Sequence, residues 1–243
     1  VRDAVTNLPE AKVVWLSGYF SPPWADVVAD CTADVETALL NILSKDQPHK
    51  DSVVHDAVQG AIAGTTYHSQ GEGPPLVLLP LSLASSQWEP LLSRLSTKSR
   101  TVTLGGPELG FLAMLESRGR SAGYLSAIRR VMDTVQLRPG EIVLEVGCGS
   151  GVVDRWLAQY ASKANRIIGI DVNRYLLREA TALAMQDGLA DVITFQEGDA
   201  CHLEGVADDS FDLTLSVFGA MFAPRPYDVA REMVRVTKPG GRI

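Results

Sequence analysis

An apolar run, Ile142-Val143-Leu144-Glu145-Val146, passes directly into Gly147-Cys148-Gly149-Ser150-Gly151, and a helical pattern follows over 152–161. Such a run predicts a buried strand. Three glycines at alternate positions predict a tight turn that needs positive φ and leaves room for a ligand to approach the backbone. The helix beyond presents unpaired N–H groups and a partial positive charge, suited to an anionic group. These ten residues limit the fold to one that sets a strand tip against a helix start.

The same rhythm continues on both sides. A helix is predicted upstream with Leu125, Ile128, Met132 and Val135 on one face, ended by Arg138-Pro139-Gly140. Strands are predicted at 141–146, 166–171, 192–197 and 211–217, with helices at 152–161, 173–187 and 226–237 between them. Strands that alternate with helices need crossover connections, so the sheet should be parallel and covered on both faces. The expected class is α/β, a Rossmann-like doubly wound parallel sheet over residues 106–243.

Residues 1–105 have a different texture and are expected to form an accessory α+β region. Val35, Ala38, Leu39 and Ile42 share a helical face, with Asp30 or Thr32 as candidate caps. A second helix is expected over 51–63, stopped by Gly64. Short strands are expected at Thr65–His68, Leu76–Leu79 and Arg100–Leu104, with a helix on Trp88, Leu91, Leu92 and Leu95.

The loop itself separates several chemistries. A dinucleotide fingerprint, G-x-G-x-x-G, would put its third glycine at position 152, which is Val152. No Gly-Lys-Ser/Thr follows, so a phosphate-binding loop is excluded. The pattern is G-x-G-x-G with Glu145 two positions before it, and it resembles motif I of the class I S-adenosylmethionine (SAM)-dependent methyltransferases. Four further features follow in that family's order. Ile167-Ile168-Gly169-Ile170-Asp171 is an apolar strand ending in an acid. Phe195-Gln196-Glu197-Gly198-Asp199-Ala200 ends a third. Asp208-Asp209-Ser210-Phe211-Asp212-Leu213 opens a fourth, and Arg235-Val236-Thr237-Lys238-Pro239-Gly240-Gly241 leads to a fifth.

The resemblance implies SAM as cofactor and methyl transfer to a small-molecule acceptor. It implies a cofactor seat made by Glu145, Gly147, Cys148, Gly149 and Gly151, with the methionyl carboxylate on the helix start. Asp171 would accept the ribose hydroxyls. Asp199, Ala200 and Val172 would surround the adenine, and Ser216, with Val217 and Phe218, would line the junction of cofactor and acceptor. It also implies a seven-stranded sheet of which four strands are clear. The fifth is expected beyond Ile243, which leaves the fourth as an exposed edge.

The acceptor is less defined. The fourth strand lacks Asn/Asp-Pro-Pro-Tyr and Pro-Cys, which argues against adenine, glutamine and cytosine acceptors. Gly219 to Pro224 resembles small-molecule and ubiquinone-biosynthesis-like methyltransferases, so Met221 and Phe222 are candidates for an apolar acceptor contact or for packing. Tyr124 is a candidate cover for the cofactor. His202 is more plausible as a solvent-facing histidine than as a base, and no catalytic residue is identified.

Residues 64–104 resemble the opening of an α/β-hydrolase, but Leu81-Ser82 stands where His-Gly would build an oxyanion hole, and no G-x-S-x-G elbow occurs. Two alternatives to the enzyme stay open: a SAM-fold binding or regulatory protein, and a nicotinamide-dependent oxidoreductase, which Val152 disfavours.

The net charge of -7 argues against a nucleic-acid partner. Cys31, Cys148 and Cys201 form no disulfide framework or metal-ligand spacing, so no metal and a reducing cytoplasm are expected. No apolar run is long enough to span a membrane.

Overall fold

The computed structural model describes residues 26–44, 58–80 and 84–243. Five strands, β5 (Ile142–Val146), β6 (Arg166–Asp171), β7 (Ile193–Glu197), β8 (Phe211–Leu215) and β9 (Thr237–Arg242), form a sheet in the order β7-β6-β5-β8-β9. Every pairing in it is parallel. The chain steps outward from β5 through β6 to β7, then returns to the other side of β5. The strand order therefore reverses between β5 and β8, and open parallel sheets bind ligands at the strand tips beside that point.

Adjacent residues of a strand face opposite sides, and both sides are covered. Val143 and Ile167 enter one core with Ile128 and Met132 of α5 (Ala122–Val135), Leu157 of α6 (Val152–Tyr160) and Ala184 of α7 (Arg174–Gln186). Leu144 and Ile168 enter the other with Val229, Met233 and Val236 of α8 (Pro226–Val236). Val143, Leu144 and Ile167 are fully buried. Each such side chain contributes about 2 kcal/mol of hydrophobic stabilisation.

The expected exposed edge on the fourth strand is not observed. Lys238-Pro239-Gly240-Gly241 lies within β9, which pairs with β8 through Phe211↔Thr237 and Leu213↔Arg242, with a shift in register between them. The Pro-Gly-Gly turn bulges the strand without ending it. Arg242 then donates to the carbonyls of Val135 and Gln136 and pairs with Glu141, which ties β9 to the end of α5.

The first part of the chain holds a second sheet. Strands β1 (Val58–Ile62), β2 (Thr65–Gln70), β3 (Pro75–Leu78) and β4 (Arg100–Gly105) run in the order β1-β2-β4-β3, with β3 parallel to β4 and the other pairs antiparallel. The helix expected over 51–63 is corrected for residues 58–62. Ala63 and Gly64 both take positive φ and turn β1 into a hairpin with β2, so Gly64 closes a strand and caps no helix. Residues 51–57 of that expectation, Leu81-Ser82 and the start of the chain lie outside the described residues.

Helices α1 (Val27–Asp30), α2 (Thr32–Leu43) and α3 (Glu89–Leu95) pack Val28, Leu91 and Leu95 against Leu78 and Trp88. The candidate caps differ from expectation. Asp26 caps α1 by accepting from the Ala29 N–H, and Thr32 donates its hydroxyl to the Val28 carbonyl.

The two sheets are linked through α7. The Tyr175 hydroxyl donates to Asp26 Oδ2 at 2.5 Å, and Arg178 reaches both carboxylate oxygens of Glu89 at 2.7 Å. Helix α4 (Gly110–Gly119) bridges them further, packing Leu112 and Leu115 on Leu176. No helix among the described residues is long and apolar enough to cross a membrane.

Candidate functional site

A cavity of about 410 Å³ opens at the strand tips. Its floor is the glycine turn, with Glu145, Gly147, Cys148 and Gly149. Asp171, Val172, Asp199 and Ala200 line one end, and Val217, Phe218, Gly219, Phe222, Ala223 and Pro224 line the other. Phe111, Met114, Leu115 and Arg118 of α4, with Tyr124 of α5, complete the wall. Eight of the residues that the resemblance assigns to the cofactor, with Tyr124, Val217, Phe218 and Phe222 from the acceptor side and the cover, thus converge on one space.

The glycines play separate parts. Gly147 has φ +74°, and a Cβ there would lie 2.7 Å from the Gly219 Cα, so this glycine admits another backbone segment and clears no ligand space. Gly151 has φ +68° and a Cβ on it would strike the Phe195 ring at 2.4 Å. It is buried and does not line the cavity. Gly149, with φ +57° and Leu115 at 3.3 Å from its notional Cβ, is the glycine beside which space remains.

The turn amides are largely committed. Gly147 and Cys148 both donate to the Ile170 carbonyl, at 2.7 and 3.1 Å, and Gly151 donates to Cys148 O at 3.0 Å. Gly149 donates to Asp171 Oδ2 at 2.8 Å. Four donors that the sequence offers to an anion therefore hold the turn in shape.

Asp171 faces the glycine turn. Its Oδ1 accepts from the Asn173 N–H at 2.8 Å while Oδ2 holds Gly149. A carboxylate has about four lone-pair sites, so each oxygen can accept a further hydroxyl. Burial pushes this carboxyl above its ordinary range, against the pull of the amides of Asn173, Gly149 and Val172. The helix cap that a lone acid could have supplied is provided by Asn173, whose Oδ1 accepts from Tyr175 and Leu176.

Val172 stands 56% exposed at the cavity, an apolar side chain free to lie on a flat ring. Asp199 is exposed, with Oδ1 accepting from the Cys201 N–H at 2.8 Å. Ser216 is displaced from its expected place. Its hydroxyl donates to the Val146 carbonyl at 2.6 Å and accepts from the Ala220 N–H at 2.9 Å, so it pins the turn after β8 to the tip of β5. Val217 and Phe218, expected beside it, line the cavity, as does Gly219.

Beneath the turn lies a pair of buried acids. Glu145 is 1% exposed and Asp154 is fully buried. One oxygen of Glu145 and both of Asp154 accept from no other group, and the two carboxyls lie within hydrogen-bond reach of each other, so that a proton on one can be shared with its neighbour. Burial, and then the charge of Asp154, push Glu145 well up; burial raises Asp154 to about 7. Burial likewise pushes up the Cys148 thiol, which keeps it an uncharged filler of the floor.

Several lining residues were not visible from sequence. Phe111, Met114, Leu115 and Arg118 belong to α4, in a stretch where no helix was expected. Their spacing of three, four and seven positions was the available signal. Buried Glu116 on the same helix accepts from the Ser150 hydroxyl at 2.7 Å and pairs with Arg155 at 2.6 Å, while Arg155 also donates to the Ser150 carbonyl. Phe218 holds φ +64°, a strained conformation for a bulky residue that points its ring to the cavity. Among the expected acceptor contacts Phe222 lines the cavity, whereas Met221 is 69% exposed and does not. His202 is exposed and absent from the lining.

These features fit an adenosine bearing a cationic, amino-acid-like tail. Asp171 offers acceptors for vicinal hydroxyls, Val172 an apolar face, Glu145 a buried carboxyl oxygen, and Gly149 a floor without a side chain.

The methyltransferase domain family matches residues 144–243. The chain is similar to the methyltransferase GfsG of Streptomyces halstedii, 36% identical over 47% of this chain and 40% of that protein. It is also similar to 24-methylenesterol C-methyltransferase 2 of Oryza sativa subsp. japonica, 37% identical over 56% of this chain and 37% of that protein. A solved SAM-dependent methyltransferase from Geobacter sulfurreducens, in complex with S-adenosyl-L-homocysteine, aligns with TM-score 0.39 and 26% identity over 48% of this chain and 45% of that one. The chain thus spans less than half the length of these relatives. Residues 144–243 thus match the methyltransferase domain family.

Proposed function

We propose that this protein transfers a methyl group from SAM to a small-molecule acceptor held against Val217, Phe218, Phe222 and Pro224. The observation that carries the reading is the continuity of one cavity, from the Asp171 carboxylate and Gly149 at one end to an apolar wall at the other.

Glu145, Gly147, Cys148, Gly149, Asp171, Val172, Asp199 and Ala200 would hold the cofactor, with Asp171 on the ribose and Asp199 and Ala200 on the adenine. Gly151 and Ser216 support that seat from behind by shaping the turn and the segment after β8. SAM supplies a methyl group already activated on a sulfonium. The protein's task is then to align the acceptor and exclude water, and orientation of this kind is worth on the order of 7–11 kcal/mol. The apolar wall suits that task. Neither His nor Lys is among the described residues lining the cavity, which favours an acceptor that needs no strong base.

Residues 1–105 are proposed as an accessory region, with residues 106–243 as the SAM-binding unit. A reducing cytoplasm suits the three free cysteines. Isothermal calorimetry with SAM and with NAD, followed by labelled methyl transfer to a panel of apolar small molecules, tests the reading. SAM binding with labelled product supports it. Binding of NAD without SAM would overturn it.

A further inference from the structure

Arg118 lies in the last turn of α4 and lines the cavity. Its guanidinium carbon is 5.2 Å from the Tyr124 ring centroid and 5.7 Å from that of Phe218, and the two rings are 6.2 Å apart. The guanidinium therefore lies over two neighbouring aromatic side chains that come from different elements, the three groups forming a triangle. No carboxylate among the described residues pairs with it, and it is the one arginine among the described residues that line the cavity. Its Nε is buried and has no hydrogen-bond partner.

A cation stacked on aromatic faces keeps its in-plane N–H donors available, and those donors match a carboxylate two at a time. The glycine turn cannot meet the same need in full. The amides of Gly147, Cys148, Gly149 and Gly151 are committed to Ile170, Asp171 and Cys148. An anion entering this cavity finds few turn donors and one guanidinium that the Tyr124 hydroxyl contacts but no carboxylate pairs.

We propose that Arg118 recognises a carboxylate on a molecule bound in this cavity. This rests on the methyltransferase reading for its two possible sources, the methionyl end of the cofactor and an acidic acceptor. In either case Tyr124 and Phe218 hold the guanidinium in place, and a lysine, lacking the planar fork, would replace it poorly.

The test compares the parent protein with R118M and R118K in binding three probes. S-adenosylhomocysteine carries the carboxylate. 5′-Methylthioadenosine keeps the nucleoside and sulfur but lacks the amino-acid end. Benzoate, offered to protein loaded with S-adenosylhomocysteine, stands for an acidic acceptor. If the cofactor supplies the carboxylate, R118M loses at least tenfold in affinity for S-adenosylhomocysteine and stays within twofold for methylthioadenosine, with R118K between. If the acceptor supplies it, S-adenosylhomocysteine binds unchanged and R118M loses benzoate at least tenfold. Parent-like affinities in both arms overturn the proposal. Should R118M also lose methylthioadenosine through misfolding, R118K decides: a selective loss of one carboxylate probe supports the proposal, and none overturns it. A parent protein that binds neither nucleoside refutes the methyltransferase reading itself, which is a different result.

Discussion

The N–H of Gly149 donates to Oδ2 of Asp171 at 2.8 Å, joining the glycine turn after β5 to the tip of β6. One carboxylate thus shapes the turn and faces the space above it. Asp171→Ala should lower SAM affinity at least tenfold, because a charge-assisted hydrogen bond is worth about 1.5–3 kcal/mol and the turn amide also loses its acceptor. Asp171→Asn, which keeps one acceptor oxygen, should lose less. Titration calorimetry of both variants checks this, and unchanged affinity in Asp171→Ala would remove the residue from the site.

Gly147→Ala should destabilise the domain by about 2 kcal/mol through a strained positive φ. The methyl would also press on the Gly219 backbone 2.7 Å away. Gly140→Ala is the control, since its φ of +85° imposes similar strain but nothing lies within 4 Å of its notional Cβ. Urea unfolding should rank Gly147→Ala as the more damaging, and SAM affinity should fall in that variant alone.

Glu116 gathers the Ser150 hydroxyl and the Arg155 guanidinium in one buried cluster. Removing one member of a buried ion pair costs about 3–5 kcal/mol. Because Arg155 keeps Asp187 at 3.2 Å and the Ser150 carbonyl, Glu116→Ala should sit at the low end, near 3 kcal/mol. Chemical unfolding measures it. A change under 1 kcal/mol would mean that α4 is not anchored through this cluster.

Stability should fall as pH rises through neutrality. Asp154 goes from an ordinary value of 3.8 to about 7 in the folded chain through burial, so the folded state binds the extra proton. Its contribution is full below about pH 4 and is lost as pH rises through about 7. Glu145, raised by the same burial and by Asp154, adds in the same direction. Glu232 acts oppositely: Arg235, against a smaller penalty from burial, holds it down to about 2, so its contribution is lost only in acid. Urea midpoints measured from pH 5 to 8 should decline in the parent protein and flatten in Asp154→Asn. Parallel slopes would exclude Asp154 as the cause.

The sheet was legible from sequence because β5 and β6 carry near-continuous apolar stretches, as strands buried on both sides do, while β7 and β8 alternate apolar with polar residues. The acids at 171 and 199 could be placed because strand tips follow from strand ends. The fifth strand was not legible: Pro239-Gly240-Gly241 breaks the apolar pattern, and only pairing with β8 and the Arg242 contacts draws it into the sheet. β1 failed for a related reason. Val58-Gln59-Gly60-Ala61-Ile62 has no pronounced period, and pairing with β2 decides its form. Arg118 escaped notice because its importance comes from rings donated by α5 and by the turn after β8.

Where Gly219 crosses Gly147, main chain rests directly on main chain, and the Ser216 hydroxyl fastens the crossing to Val146 and Ala220. The join between the cavity's floor and its apolar wall thus depends on two residues without side chains and on one hydroxyl. The rings at 218 and 222 project from that frame into the cavity. On the proposed function, a change of ring size at 218 or 222 would alter the acceptor's side of the cavity and leave the crossing that supports the cofactor's side unmoved.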